Sequence, residues 1–90
     1  MNKAEMIEIV ARQAEISKSA AERSIDAMIG AVKSSLKRGQ EVSLVGFGSF
    51  YVVDRAARNG RNPRTGEKVA IAAAKIPRFR PGKGLKDALN

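Results

Sequence analysis

Arginines stand at positions 55, 58, 61 and 64, and lysines follow at 68 and 75. The stretch that holds them, RAARNGRNPRTGEKVAIAAAK, offers an apolar core almost nothing: between Ala57 and Lys68 no residue larger than alanine would choose burial. Guanidinium groups spaced in this way can bind phosphates through charge-assisted, forked hydrogen bonds. A spacing of three could place them on one helix face, but Gly60 and Pro63 both break helix interiors. In an extended chain side chains alternate between faces, so arginines three apart point to both sides of a ribbon. Asn62-Pro63-Arg64-Thr65-Gly66 carries the signature of a type I or II turn, with proline after asparagine and glycine three residues on. The spacing therefore predicts a long β-hairpin arm over about 55–75, with its tip near Pro63 and cations on both faces. A flexible basic loop is the plainer alternative.

The charge of the chain is concentrated in this region. The formal balance is +8 at pH 7. Residues 1–54 hold seven basic and seven acidic side chains, whereas residues 55–90 hold ten basic and two acidic ones. The second stretch thus carries the whole excess, which points to a polyanionic partner, nucleic acid first and an anionic membrane second. Absence of cysteine excludes disulfides and thiolate metal sites, and absence of histidine removes the commonest metal ligand and general base. No metal or cofactor site is expected. The charged N-terminal residues Lys3, Glu5 and Glu8 do not read as a signal peptide, and no apolar run nears the ~20 residues of a membrane span. A soluble cytoplasmic or nucleoplasmic protein is expected.

Catalytic arrangements are weak. Glu5/Glu8 and Glu22/Asp26 are carboxylate pairs at helical spacing, common on solvated helix faces, and no nucleophile or base accompanies them. Gly46-Phe47-Gly48 lacks the third glycine and following helix of a phosphate-cradling loop, and Lys83 lacks the upstream glycine of a P-loop. The sequence is read as non-catalytic, with no small-molecule substrate.

The remaining residues must hold the arm. Asn2 can cap a first helix, with Glu5 completing a capping-box-like pair, and Met6, Ile7, Val10, Ala11 and Ala14 follow helical spacing. Ser17 or Ser19 can cap a second helix, in which Ala21, Ile25, Met28, Ile29, Val32 and Leu36 form one apolar stripe. Gly39 suits its C-terminal cap. Glu41–Val45 alternates as a half-buried strand, Gly46-Phe47-Gly48 turns, and Ser49–Val53 forms the next strand leading into the arm. The returning strand includes Val69-Ala70-Ile71; Ala72–Ala74 reads as extended; Ile76 and Phe79 anchor the return to the body. Pro81-Gly82 stops the strand, and 84–89 makes a short final helix. If the arm adds nothing to a core, about seventy residues must supply one, which is marginal for a monomer. The apolar stripe is therefore expected to extend into an interface with a second copy.

At this point the residues resemble a known family, the bacterial histone-like DNA-binding proteins of the HU type, related to integration host factor. The similarity runs end to end and rests on Gly46-Phe47-Gly48-Ser49-Phe50, Arg55, Arg58, Gly60, Arg61-Asn62-Pro63, Thr65-Gly66 and the closing Ile76-Pro77, Phe79, Pro81-Gly82-Lys83 and Leu85-Lys86. Two positions depart from the commoner pattern: Arg64 beside the tip proline and Arg78 between Pro77 and Phe79, where neutral or small residues are frequent. The resemblance implies an α+β fold in a single domain, 1–90: an intertwined homodimer with a helical base over 1–38, a three-stranded antiparallel sheet and basic β-arm within 41–80, and a short C-terminal helix over 83–90. It implies arms that grip the DNA minor groove and a Pro63 that intercalates at a kink. Insertion of apolar wedges into the minor groove is an established mode of this family and comes from the resemblance, not from the spacing.

On that basis Arg55, Arg58, Arg61, Arg64, Lys68 and Lys75 are assigned to phosphates along the arm, and Arg80, Lys83 and Lys86 to phosphates on the body. Asn62 and Thr65 are assigned polar contacts near the tip, and Gly46 a backbone N–H to a phosphate. Ile25, Met28, Ile29, Val32, Leu36, Leu44, Phe47, Phe50 and Phe79 are assigned to the dimer core, because the arm has no aromatic on which a base could stack. The expected partner is double-stranded DNA, favoured in bent, nicked or distorted form, with compaction of the nucleoid as the role. The expected assembly is a homodimer, with a paralogue as an alternative partner chain. A sequence-specific subunit like integration host factor is the nearest rival. A membrane-surface protein is the rival from another class, and the basic amphipathic helix that would favour it is missing.

Overall fold

The computed structural model describes residues 1–90, in the order α1 (Lys3–Ala14), α2 (Lys18–Lys37), β1 (Val42–Leu44), β2 (Gly48–Arg55), β3 (Arg58–Arg61), β4 (Lys68–Ile71), β5 (Ala74–Pro81) and α3 (Lys83–Leu89). The chain divides into two compact units, Met1–Ser34 and Ser35–Asn90.

In the first unit, the Asn2 side chain accepts from the Glu5 amide at 2.9 Å and starts α1, satisfying one of the amides that a helix start leaves without a partner. Glu15 ends the helix with φ 56°, the left-handed conformation usually left to glycine. Of the two serines that could cap α2, Ser17 does so: its hydroxyl accepts from the Ala20 amide at 3.0 Å. Two ion pairs tie α1 to α2, Lys3–Asp26 at 2.7 Å and Lys18–Glu8 at 3.4 Å. The hydrogen bond to Asp26, and then that carboxylate's charge, hold Lys3 above its ordinary pKa. A raised lysine pKa stabilises the fold below the ordinary value and loses its contribution as pH rises through the raised one. All four side chains are exposed, so the effect is small and sensitive to salt.

In the second unit, Gly39 closes α2 at φ 74°, with its amide on the Leu36 carbonyl and the Gln40 amide on the Ser35 carbonyl, a Schellman arrangement. The chain turns through Val45 and Gly46, where the Phe47 amide bonds the Leu44 carbonyl at 2.9 Å and Gly46 takes φ 84°. Positive φ at the third turn position is the mark of a type II turn. β1, β2 and β5 form an antiparallel sheet in that order. Its register places Phe50 opposite Phe79, and their ring centroids lie 4.9 Å apart; Phe47 lies 5.4 Å from Phe79. Space at Gly48 is closed: a Cβ there would sit 2.5 Å from Phe79 Cζ and 2.6 Å from the Arg80 carbonyl. Gly48→Ala is therefore expected to destabilise the protein by about 1–3 kcal/mol through overpacking, read as a lower denaturation midpoint.

Neither unit buries a large apolar side chain. Ala11 and Ala21 are the buried apolar residues, and no side chain of any size beyond them is fully enclosed. Several residues assigned to a dimer core stand open in the single chain, among them Met28 at 57% exposure and Phe47 at 46%, with Ile29, Leu44 and Phe79 also exposed. Ile25, Val32, Leu36 and Phe50 are half-buried. A chain of this size with so little enclosed apolar surface has not completed its core.

Candidate nucleic-acid interface

Beyond the sheet, β3 and β4 form a second antiparallel ladder, pairing Arg58 with Ile71, Asn59 with Ala70, Gly60 with Val69 and Arg61 with Lys68. Paired residues share a face and neighbours alternate. Arg58 therefore projects to one side of the ribbon, and Arg61 with Lys68 to the other. This is the hairpin that the arginine spacing predicts.

The tip is built by its own polar residues. The Asn62 amide bonds the Glu67 carbonyl and the Gly66 amide bonds the Asn62 carbonyl, each at 2.8 Å. The second bond spans four residues, so Pro63–Thr65 form an α-turn, one residue wider than the expected type I or II turn. Asn62 Oδ1 accepts from the Arg64 amide at 2.9 Å, and the Thr65 hydroxyl accepts from the Glu67 amide at 3.3 Å. Gly66 supplies the positive φ, 74°, that brings the chain back. Asn62 and Thr65 thus hold the turn, a role their residue types signal. Pro63 is exposed at the apex.

The cations differ in what surrounds them. Arg58, Arg61, Arg64, Lys68 and Lys75 are exposed and take part in no ion pair. Arg80 lies over the Tyr51 ring, 4.5 Å from its centroid, and reaches Glu41 at 3.5 Å. Lys83 pairs with Asp87 at 3.1 Å, one turn along α3, and Lys86 is exposed on the same helix. Arg55 is half-buried at the base of the arm and donates to the Ala72 carbonyl at 3.1 Å. None of these last contacts was expected. Glu41, Tyr51 and Arg80 meet only once the strand register is known, because Arg80 pairs with Ser49 and so lies diagonal to Tyr51.

Gly46 stands apart from the arm. A Cβ on Gly84 would collide with the Gly46 carbonyl, and one on Gly82 would lie 3.1 Å from the Phe47 backbone. The Gly82 amide bonds the Phe47 carbonyl at 2.8 Å. The two glycines therefore let the start of α3 seat directly on the β1–β2 turn, which brings Lys83 and Lys86 to the same end of the sheet as Gly46. No group of three or more carboxylate side chains gathers in a way that could hold a metal ion. No helix is long and apolar enough to cross a membrane.

An extended ribbon with cations on both faces, an exposed apolar ring at its tip and further cations at the sheet end is an arrangement for a long, regularly charged polyanion. Comparison with known proteins agrees. The family model described as bacterial DNA-binding protein matches residues 1–90. The chain is 61% identical to DNA-binding protein HU-beta of Neisseria meningitidis over 89 residues, covering 99% of this chain and all of the relative. It is 59% identical to DNA-binding protein HU-beta of Escherichia coli over 90 residues, covering the whole of both. Among solved structures, an Anabaena HU–DNA cocrystal aligns with a TM-score of 0.87 at 39% identity, over 99% of this chain and 97% of that one. HU from Thermotoga maritima aligns over the whole of both chains with a TM-score of 0.72 at 31% identity. From the sheet to the tip of the arm, the chain belongs to the bacterial DNA-binding protein family that includes HU.

Proposed function

We propose that two copies of this chain form an architectural DNA-binding protein that bends and compacts DNA with little regard to sequence. The observation that carries this reading is the arm itself: four exposed, unpaired cations, Arg58, Arg61, Arg64 and Lys68, on a ribbon narrow enough to enter a groove. Contacts of this type go to phosphates and carry affinity without base information. Lys75, Arg80, Lys83, Lys86 and the Gly46 amide extend the contact towards the sheet. Arg80 arrives there pre-oriented by Tyr51. Pro63 has no amide hydrogen to satisfy and presents a rigid apolar ring, which fits a wedge between base pairs. Asn62 and Thr65 act by shaping the turn that presents it.

A second copy completes the core by covering the α2 stripe and the Phe47–Phe50–Phe79 cluster, and it brings a second arm to the same duplex. The relatives at about 60% identity are HU-beta proteins, which favours the sequence-tolerant reading over one like integration host factor. The role is binding and not catalysis, and the setting is the cytoplasm, on the nucleoid.

Binding to linear, nicked and four-way-junction DNA of unrelated sequences, titrated at several salt concentrations, tests this. Similar affinity across sequences, tighter binding to the nicked and junction forms, and a log K that falls linearly with log salt are expected. Strong preference for one defined sequence would replace this reading with the sequence-specific one.

A further inference from the structure

The arm is one ladder interrupted in its middle. Throughout β2–β5 and β3–β4 the paired residue numbers keep a single register, from Gly48–Pro81 through Arg55–Ala74 to Arg58–Ile71 and Arg61–Lys68. No bulge shifts that register, yet Ala56-Ala57 and Ala72-Ala73 belong to no strand. The four residues of the break are all alanine and all exposed, so no side-chain packing stiffens it. Poor strand formers with nothing to pack against are where a ribbon yields.

One side chain spans the break. Arg55, the last residue of β2, sends Nη2 to the Ala72 carbonyl at 3.1 Å, across to the returning strand and inside the gap. Its Nε is buried and has no hydrogen-bond partner. The guanidinium therefore lies down along the ribbon, with one edge withdrawn from water, while Arg58, Arg61 and Arg64 stand out in solvent. A buried N–H without a partner is costly and calls for a reason. Bridging the one unpaired stretch of the arm supplies it.

We infer that Arg55 is a positioning residue, a brace that fixes the angle between the sheet and the distal arm, and that its part in DNA bending runs through that angle and not through a phosphate contact. The inference rests on the DNA-bending reading above. A braced arm presents Pro63 in one direction, so less ordering is left to do when DNA is bound. Without the brace the distal ribbon still carries its cations but swings about the alanine break.

The test uses Arg55→Ala, and the same variant with Ala56→Val and Ala73→Val. Positions 56 and 73 face each other in the register, and a β-branched cross-strand pair stiffens the break without restoring any charge. In the DNA-free protein, fast-mixing amide exchange of Arg58–Arg61 and Lys68–Ile71 should speed up about tenfold in Arg55→Ala, the loss of one hydrogen bond to a charged group, and return towards wild type in the triple variant. Bending of an end-labelled duplex should fall and recover in the same order, while the salt slope of binding stays unchanged. The opposite pattern overturns the inference: unchanged exchange in the free protein, a slope smaller by about 0.9 and no recovery in the triple variant identify Arg55 as a phosphate ligand. Because the exchange measurement needs no DNA, a wild-type protein that fails to bend DNA would count against the function and leave the brace to be judged by itself.

Discussion

Pro63→Ala is expected to remove most of the DNA bending while leaving most of the affinity. The phosphate contacts of Arg58, Arg61, Arg64 and Lys68 remain in this variant, and such contacts dominate binding. The wedge is lost. Unstacking one base step costs a few kcal/mol and is offset only when a rigid apolar group fills the opening. Alanine fills it poorly. The tip should survive the change, because its hydrogen bonds come from Asn62, Thr65, Gly66 and Glu67 and none involves the Pro63 side chain. Energy transfer between the ends of a labelled duplex should therefore drop towards the unbound value at saturating protein. Arg61→Ala makes the contrast: it should reduce the slope of log K against log salt by about 0.9 and leave the bend in place. Wild-type bending by the Pro63 variant would reduce the proline to a turn residue.

Phe79→Ala should be the most damaging single change to stability. Phe79 stands at the centre of the aromatic cluster, in contact with Phe47 and Phe50, and closes over Gly48. Buried phenylalanine-to-alanine changes cost about 3–5 kcal/mol. In the single chain Phe79 is exposed, so a loss of that size requires a second copy to cover it. Denaturation followed over a concentration series should show a midpoint that rises with protein concentration in the wild type, as mass action demands of a dimer. The variant should unfold at much lower denaturant and dissociate at micromolar concentration. A loss near 1 kcal/mol with no dependence on concentration would mean that the cluster is a solvent-facing patch and the chain folds alone.

The helices and their ends were legible because capping chemistry is local: Asn2 with Glu5, Ser17 before α2, and Gly39 each announce an end within a few residues. The arm was legible because Gly60 and Pro63 forbid the helix that a spacing of three would otherwise permit, and because arginine and alanine cannot fill a core. The turn at the tip was legible in place but not in type, since the hydrogen bonds of Asn62 and Thr65 settle it as an α-turn. The interruption at Ala56-Ala57 and Ala72-Ala73 was hidden. Ala72–Ala74 reads as extended in isolation, and only the facing strand shows that two alanine pairs meet and leave the ladder. The contacts of Arg55, Arg80 and Lys83 were hidden for a related reason. An arginine in a sequence shows its charge, but whether that charge is free or engaged depends on residues tens of positions away, such as Glu41 for Arg80 and Ala72 for Arg55. The side chains of Arg58, Arg61, Arg64, Lys68 and Lys75 are exposed and enter no ion pair, which leaves them free for the proposed DNA contacts.

If two copies of this chain bend a DNA duplex, bending must accompany binding. The most direct measurement is energy transfer between fluorophores on the two ends of a short duplex, titrated with wild-type protein at low salt while anisotropy reports binding on the same sample. Transfer should rise in step with anisotropy, saturate at two chains per occupied site, and fall again as salt releases the protein. A duplex that anisotropy shows to be fully bound, with its ends no closer than before, would contradict this.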